Sequence, residues 1–282
     1  MTDENSWENA VIALRKDPSK EQLVKDAYFD DPIYQAAERY RLSEEWRAIC
    51  RLLPNRRGTA LDLGAGRGIA SYALAQEGFQ VTALEPDKSQ IVGSQAICSL
   101  AEECNLPIEV VQEFSEKLPF PKAKFDLVFA RAVLHHTTNL QAACDEVYRV
   151  LKPGGKVIAI REHVISRPED LELFLSNHPL HHLYGGENAF LLEDYLTSIR
   201  KAEFNIEKVI PPLESVINFA PHTLQSLKQE FATKITSNIS IARDLLRVAL
   251  DIPGIWLAAT YLLRSIDHRP GRLYSFVATR PD

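Results

Sequence analysis

The chain has 282 residues, 45% of them hydrophobic, enough to bury a full core in one large domain or in one domain with a substantial elaboration. A net charge of -6 argues against a nucleic-acid duplex as partner, because phosphate binding draws on clustered Lys and Arg. Cys50, Cys98, Cys104 and Cys144 show no CxxC pair and no zinc-like spacing with histidine. They are expected as reduced, mostly buried thiols of a cytoplasmic protein, with neither disulfides nor a metal site.

The N-terminal 17 residues are polar and acidic, with no apolar signal core. From 7 to 53 the apolar and aromatic side chains recur three and four apart, as in "YQAAERYRLSEEWRAICRLL", which predicts helices ending near Pro54 and Gly58. Tyr34, Tyr40 and Trp46 are then core residues of a helical cap over residues 1–55. The period changes after Gly58. Short apolar runs ("TALDL", "QVTALE", "IEVVQ", "FDLVFA", "KVIAI") alternate with helix-length segments that stop at Gly, Asn or Pro-Gly-Gly. Strand and helix in alternation predict a parallel sheet covered on both faces, with ligands bound at the carboxyl ends of its strands.

Beyond 166 the pattern loosens. Helix-like stretches ("PEDLELFLSNH", "LLEDYLTSIRKA") precede the strand-like "FNIEKVI" and the alternating C-terminal strand "RLYSFVATR". The roughly 60 residues between those last strands far exceed a hairpin loop. Segments at about 166–202 and 212–270 are therefore read as substrate-cap insertions on one compact domain with a lid, around a core at 56–165. "VALDIPGIWLAATYLL" is too interrupted to span a membrane, so stable insertion is not expected. Buried helices are the expectation there, with docking on a membrane surface as the alternative.

The chemistry concentrates in "LDLGAGRG" (61–68). Gly64, Gly66 and Gly68 follow a strand and open a helix, leaving backbone N–H groups for a ligand to approach. The nicotinamide fingerprint G-x-G-x-x-G is not met, because Ile69 takes its third position. Asp62 at the strand end is awkward beside a pyrophosphate and useful beside a cation. Glu85, ending the second strand in "VTALEPD", is placed to accept two hydrogen bonds from a ribose. Together they suit an adenosine ligand carrying an ammonium or sulfonium group.

The successive stretches "ALDLGAGRGIASYALA", "VTALEPD", "SEKLPFPKAKFDLVFARAVLHH" and "RVLKPGGKVI", in order over about 56–162, resemble the motifs of class I S-adenosylmethionine-dependent methyltransferases, especially the ubiquinone and menaquinone subgroup. The resemblance implies a Rossmann-like α/β fold: a seven-stranded, mostly parallel sheet with an antiparallel last strand. It assigns Gly64, Ala65 and Gly66 to the methionine part of S-adenosyl-L-methionine, Asp62 to its amino group, Glu85 to the ribose and Pro86 to the adenine flank. Where the subgroup reads Gly-Asp-Ala-Glu, with the aspartate on the adenine amino group, this chain has Glu113, Phe114, Ser115 and Glu116. Phe114 cannot accept that bond, so either a Glu side chain compensates or Phe114 packs on the ring while the backbone does the polar work. Ala130 and Arg131 should border the methionine.

The activity implied is methyl transfer to oxygen, or to nitrogen or carbon, of a small molecule or biosynthetic intermediate, releasing S-adenosyl-L-homocysteine. His135 and His136 are the candidate bases. His163, together with His181, His182 and Tyr184 in the loop "SNHPLHHLYGGENAF", is a candidate for substrate contact. A monomer or homodimer is expected. The alternative is a module that binds the cofactor without turnover, or a partner subunit. Arg67 is expected on the solvent side of the first helix.

Overall fold

The computed structural model describes residues 6–236 and 240–282. Four helices come first: α1 (Trp7–Lys16), α2 (Glu21–Asp26), α3 (Ile33–Arg41) and α4 (Glu44–Cys50). Ser6 and Ser43 cap α1 and α4 by accepting N–H groups at 3.2 and 3.0 Å, satisfying donors a helix start leaves open.

The alternating region then builds β1 (Thr59–Leu63), α5 (Ile69–Gln76), β2 (Gln80–Leu84), α6 (Ser94–Glu103), β3 (Ile108–Val111), β4 (Phe125–Arg131), α7 (Leu140–Val150) and β5 (Leu151–Ile165). After it come α8 (Asp170–Asn177), α9 (His181–Tyr184), β6 (Phe190–Leu191), α10 (Leu192–Lys201) and β7 (Asn205–Ile210). The chain closes with α11 (Leu224–Thr236), α12 (Ser240–Leu250), α13 (Pro253–Ile266) and β8 (Arg272–Thr279). The sheet order is β3-β2-β1-β4-β5-β8-β7, with the two-residue β6 added alongside β5. Strands β1 to β5 run parallel, and β8 is antiparallel to both neighbours, β5 and β7. This is a Rossmann-like, mostly parallel arrangement with an antiparallel strand near its end, with one departure from the sequence reading. Strand β5 begins before the Pro-Gly-Gly turn, which the ladder passes as an irregularity: Phe125 pairs with Leu151 and Leu127 with Lys156.

Period-2 alternation explains why the strands read as nearly unbroken apolar runs, since both faces are covered. Leu61, Leu63, Val128 and Ala130 pack on one face with Val147 of α7 and with Tyr195 and Ile199 of α10. Ala60, Leu127, Phe129 and Ile158 pack on the other, with Ala73 and Leu74 of α5 and with Tyr40, Trp46 and Ile49. Each such buried side chain contributes roughly 1.5–3 kcal/mol. Two expected cap segments therefore belong to the sheet's own helical layers: α3 and α4, through Tyr40, Trp46 and Ile49, and α10, through Tyr195 and Ile199. Tyr34 is instead 41% exposed, its ring edge-on to Tyr72 at 6.1 Å.

Two further expectations are corrected. Of the four free cysteines only Cys144 is buried, and Cys98 is exposed. Helices α12 and α13 are not buried: Leu245, Val248, Leu257, Tyr261 and Leu262 are each at least 60% exposed. Among the described residues no single helix is long and apolar enough to cross a membrane; Asp244–Leu250 and Gly254–Ile266 would suffice together by length and composition but are bent by 95°.

Candidate functional site

The carboxyl ends of β1, β2, β4 and β5 converge on one edge of the sheet. Directly after β1 the chain turns through Gly64, Gly66 and Gly68, at φ +63°, +55° and +85°, a region L side chains rarely adopt. A Cβ on Gly64 would lie 2.8 Å from the Val133 side chain, whereas a Cβ on Gly66 would meet nothing closer than 4.0 Å. The open space beside Gly66 is where a ligand can lie against the backbone. Ala65 is fixed by its N–H, which donates to the Leu84 carbonyl at 2.9 Å.

Two acids face this turn. Asp62 is buried within β1 and accepts the Ser71 hydroxyl at 2.5 Å; burial pushes its carboxyl up to about 7. Glu85, at the end of β2, accepts the N–H groups of Gly66 and Asp87 at 2.8 and 2.9 Å, and burial pushes it up to about 7 as well. A buried carboxyl held near neutrality gains most from an incoming cation. Pro86 is half-buried beside it, while Glu113 and Phe114 stand exposed on the loop after β3, Phe114 at 66%.

The turn is clamped from the N-terminal helices by a residue the sequence reading placed in solvent. Arg67 is only 6% exposed, donating to the carbonyls of Tyr28 (3.2 Å) and Asp30 (3.0 Å) and to the Asp31 carboxylate (2.5 Å). Arg131, the last residue of β4 after the buried Ala130, is similarly committed. Its guanidinium pairs with the buried Glu45 of α4 at 3.0 and 3.3 Å and lies over the rings of Tyr28 and Tyr40. It is thus tied to the helical layer rather than free for a cofactor carboxylate.

Between β4 and α7 lie His135 and His136. His135 is 1% exposed; its Nδ1–H donates to Glu162 at 2.7 Å, and Glu162 also accepts the backbone N–H groups of His135 (3.0 Å) and Val133 (3.2 Å). Burial works against this carboxylate's charge, but the bonds from His135 and the backbone hold it below the usual range. A β-bulge aims Glu162 inward: the ladder with β8 slips between Ala159 and Glu162, with Arg161 at φ +60°. Arg161 donates to the carbonyls of Ile217 and Ala220, which holds the bulge in place.

His136 is 36% exposed, and its Nδ1 donates to the Gly186 carbonyl at 2.9 Å. His163 donates from Nδ1 to the Gly271 carbonyl at 3.0 Å and packs on the rings of His135, Phe174 and His178; burial pushes it down to about 3, so it is neutral. The segment expected as a loop contains the short helix α9, whose His181 and His182 line a surface groove against Leu171 and Leu175 of α8 instead of joining His135. The side chain of Tyr184 lies outside the described residues. In their place the structure brings Glu187 and His178 to the histidine cluster, Glu187 Oε2 lying 3.8 Å from His135 Nε2 and Glu187 Oε1 lying 3.8 Å from His178 Nδ1. Glu162 was missed by sequence reasoning; its one signal is a carboxylate at the end of an apolar strand.

Residues 61–159 match the family model described as a methyltransferase domain. Over 98 residues the chain is 35% identical to the malonyl-[acyl-carrier protein] O-methyltransferase of Erwinia billingiae, covering 35% of this chain and 36% of that protein. Over 121 residues it is 32% identical to the demethylmenaquinone methyltransferase of Lactococcus lactis, covering 42% and 48%. It therefore spans about a third to a half of the length of the curated relatives it matches. The fold is similar to that of geranyl diphosphate C-methyltransferase from Streptomyces coelicolor, with a TM-score of 0.57, 16% identity, and coverage of 90% of this chain and 87% of that one. The likeness to methyltransferases is thus carried by residues 61–159, about a third of the chain.

Proposed function

We propose that the protein transfers the sulfonium methyl of S-adenosylmethionine to a heteroatom, oxygen first, of a small acceptor. One observation carries this reading: Val133, three residues before His136, sits against Gly64, so the histidine segment adjoins the cofactor turn. In this reading Asp62 faces the cofactor's ammonium, the open backbone at Gly66 takes its methionine chain, and Glu85 holds the ribose. The exposed Phe114 covers the adenine, in place of the polar contact its position cannot make.

The acceptor's oxygen lone pair forms the new C–O bond as the C–S bond breaks, and sulfur keeps that electron pair as a neutral thioether. The acceptor proton goes to Nε2 of His136, which is accessible and bare because its Nδ1–H is committed to Gly186. His135 is too buried to meet an acceptor; with Glu162 it fixes the strand end from which His136 projects. Alignment of nucleophile, methyl and sulfur supplies roughly 7–11 kcal/mol of barrier lowering, and the base adds roughly 10²–10⁴-fold. A module that binds the cofactor without turnover is the rival, and it is favoured less once Arg131 is seen to serve the fold through Glu45. The test is a panel of hydroxylated, amine and activated-carbon acceptors, read by mass spectrometry for S-adenosylhomocysteine. Turnover on a hydroxyl acceptor that falls at least 100-fold in His136→Gln supports the proposal. Cofactor binding with no turnover on any acceptor contradicts it.

A further inference from the structure

We infer that His135, His163 and Glu187 bind a divalent transition-metal ion of the zinc type, pinning the Gly185–Glu187 segment against the ends of β4 and β5. One donor atom from each of the three lies within 4.8 Å of the other two, and His135 and Glu187 are buried. The second nitrogen of each histidine carries the argument. Nδ1 of His163 contacts a carbonyl and Nδ1 of His135 contacts the Glu162 carboxylate, both of which only accept hydrogen bonds. Each Nδ1 therefore bears a proton, which leaves Nε2 as the nitrogen each ring can offer to a metal ion. A carboxylate or carbonyl on the far nitrogen is the arrangement that orients histidine as a metal ligand.

The spacing agrees. His135 Nε2 and Glu187 Oε2 are 3.8 Å apart, too far to share a hydrogen bond. Ligands about 2.1 Å from a tetrahedral ion sit about 3.4 Å apart, so this pair must close slightly and the wider separations in the group, which lie within 4.8 Å, must close further. His178 Nδ1, buried without a hydrogen-bond partner and 3.8 Å from Glu187 Oε1, is in reach as a fourth ligand. Two or three imidazoles with one carboxylate favour zinc, iron or cobalt over magnesium or calcium, which prefer oxygen. The three ligands come from separate segments of the chain, so no local spacing in the sequence marks them. By fixing Glu187 the ion would also fix Gly186, whose carbonyl orients His136; that consequence alone rests on the methyl-transfer reading.

The test uses the full chain stripped with chelator and titrated with Co²⁺, read by its visible absorption, by competition with Zn²⁺ and by elemental analysis. One Co²⁺ per chain is expected, displaced by Zn²⁺. His163→Gln and Glu187→Gln should each weaken uptake at least 100-fold, Glu162→Gln should weaken it by roughly 10–100-fold through His135, and the remote His222→Gln should leave it unchanged. A thermal unfolding transition for each variant, with S-adenosylhomocysteine binding as a separate readout, distinguishes loss of the site from loss of the fold or of the cofactor reading. No stoichiometric uptake by the unaltered chain, or uptake undiminished in folded His163→Gln, overturns the inference.

Discussion

Lowering the pH from 8 to 6 is expected to weaken binding of S-adenosylhomocysteine by about tenfold through Asp62 alone. The buried carboxyl ionises at about 7 in the ligand-free protein, where burial opposes its charge. The ligand's ammonium binds the ionised form. About nine-tenths of the Asp62 carboxyls are charged at pH 8 and about one-tenth at pH 6, so affinity rises by up to tenfold per pH unit below 7 and levels off above it, each decade being about 1.4 kcal/mol. Glu85, also raised to about 7, adds to the slope to the extent that the ribose hydroxyls require its charged form. Binding is therefore accompanied by proton release at pH 6, which calorimetry in two buffers of different ionisation enthalpy measures directly. Asp62→Asn keeps an acceptor for Ser71 and should remove one unit of the slope. The ligand-free fold has the opposite trend. Asp62 ionises near 3.8 when unfolded, so its contribution is intact below pH 4 and is lost as pH rises to 7, by about 4 kcal/mol. An affinity flat between pH 5.5 and 8, or a slope unchanged in Asp62→Asn, would refute the assignment of Asp62 to the ammonium.

Arg131→Met removes the partner of the buried Glu45 and should cost about 3–5 kcal/mol, lowering the thermal midpoint by roughly 6–20 °C. A drop of only a degree or two in calorimetric unfolding would show that Glu45 is not stranded. Phe114→Ala, at a 66% exposed position, should leave the midpoint unchanged. Its loss of stacking, about 1–3 kcal/mol, should weaken S-adenosylhomocysteine binding by about 5–150-fold; equal affinity would place the adenine elsewhere.

What the sequence made legible was local. The strands announced themselves by apolar runs between glycine stops, and Asp62 and Glu85 by their places at strand ends. The residues it hid depend on partners far along the chain. Arg67 looked solvent-facing because Asp31, its acceptor, lies 36 residues earlier. Arg131 looked like a ligand contact because Glu45 lies 86 residues earlier. Glu162 reaches His135 through a bulge at Arg161, where a positive φ without a glycine leaves no trace in the residue pattern. The exposed faces of α12 and α13 were misjudged because apolar periodicity marks a face that can be buried, not whether anything covers it.

The central claim is that the turn at Gly64–Gly68 holds S-adenosylmethionine, and calorimetric titration of S-adenosylhomocysteine into the chain and into Gly66→Val tests it most directly. At Gly66 a side chain would enter open space at φ +55°, occupying the ligand's volume and adding about 1–2 kcal/mol of backbone strain. The account predicts one ligand per chain, and no measurable binding to a variant that still unfolds cooperatively. Equal affinity in Gly66→Val, or binding of a nicotinamide dinucleotide in place of S-adenosylhomocysteine, would contradict it.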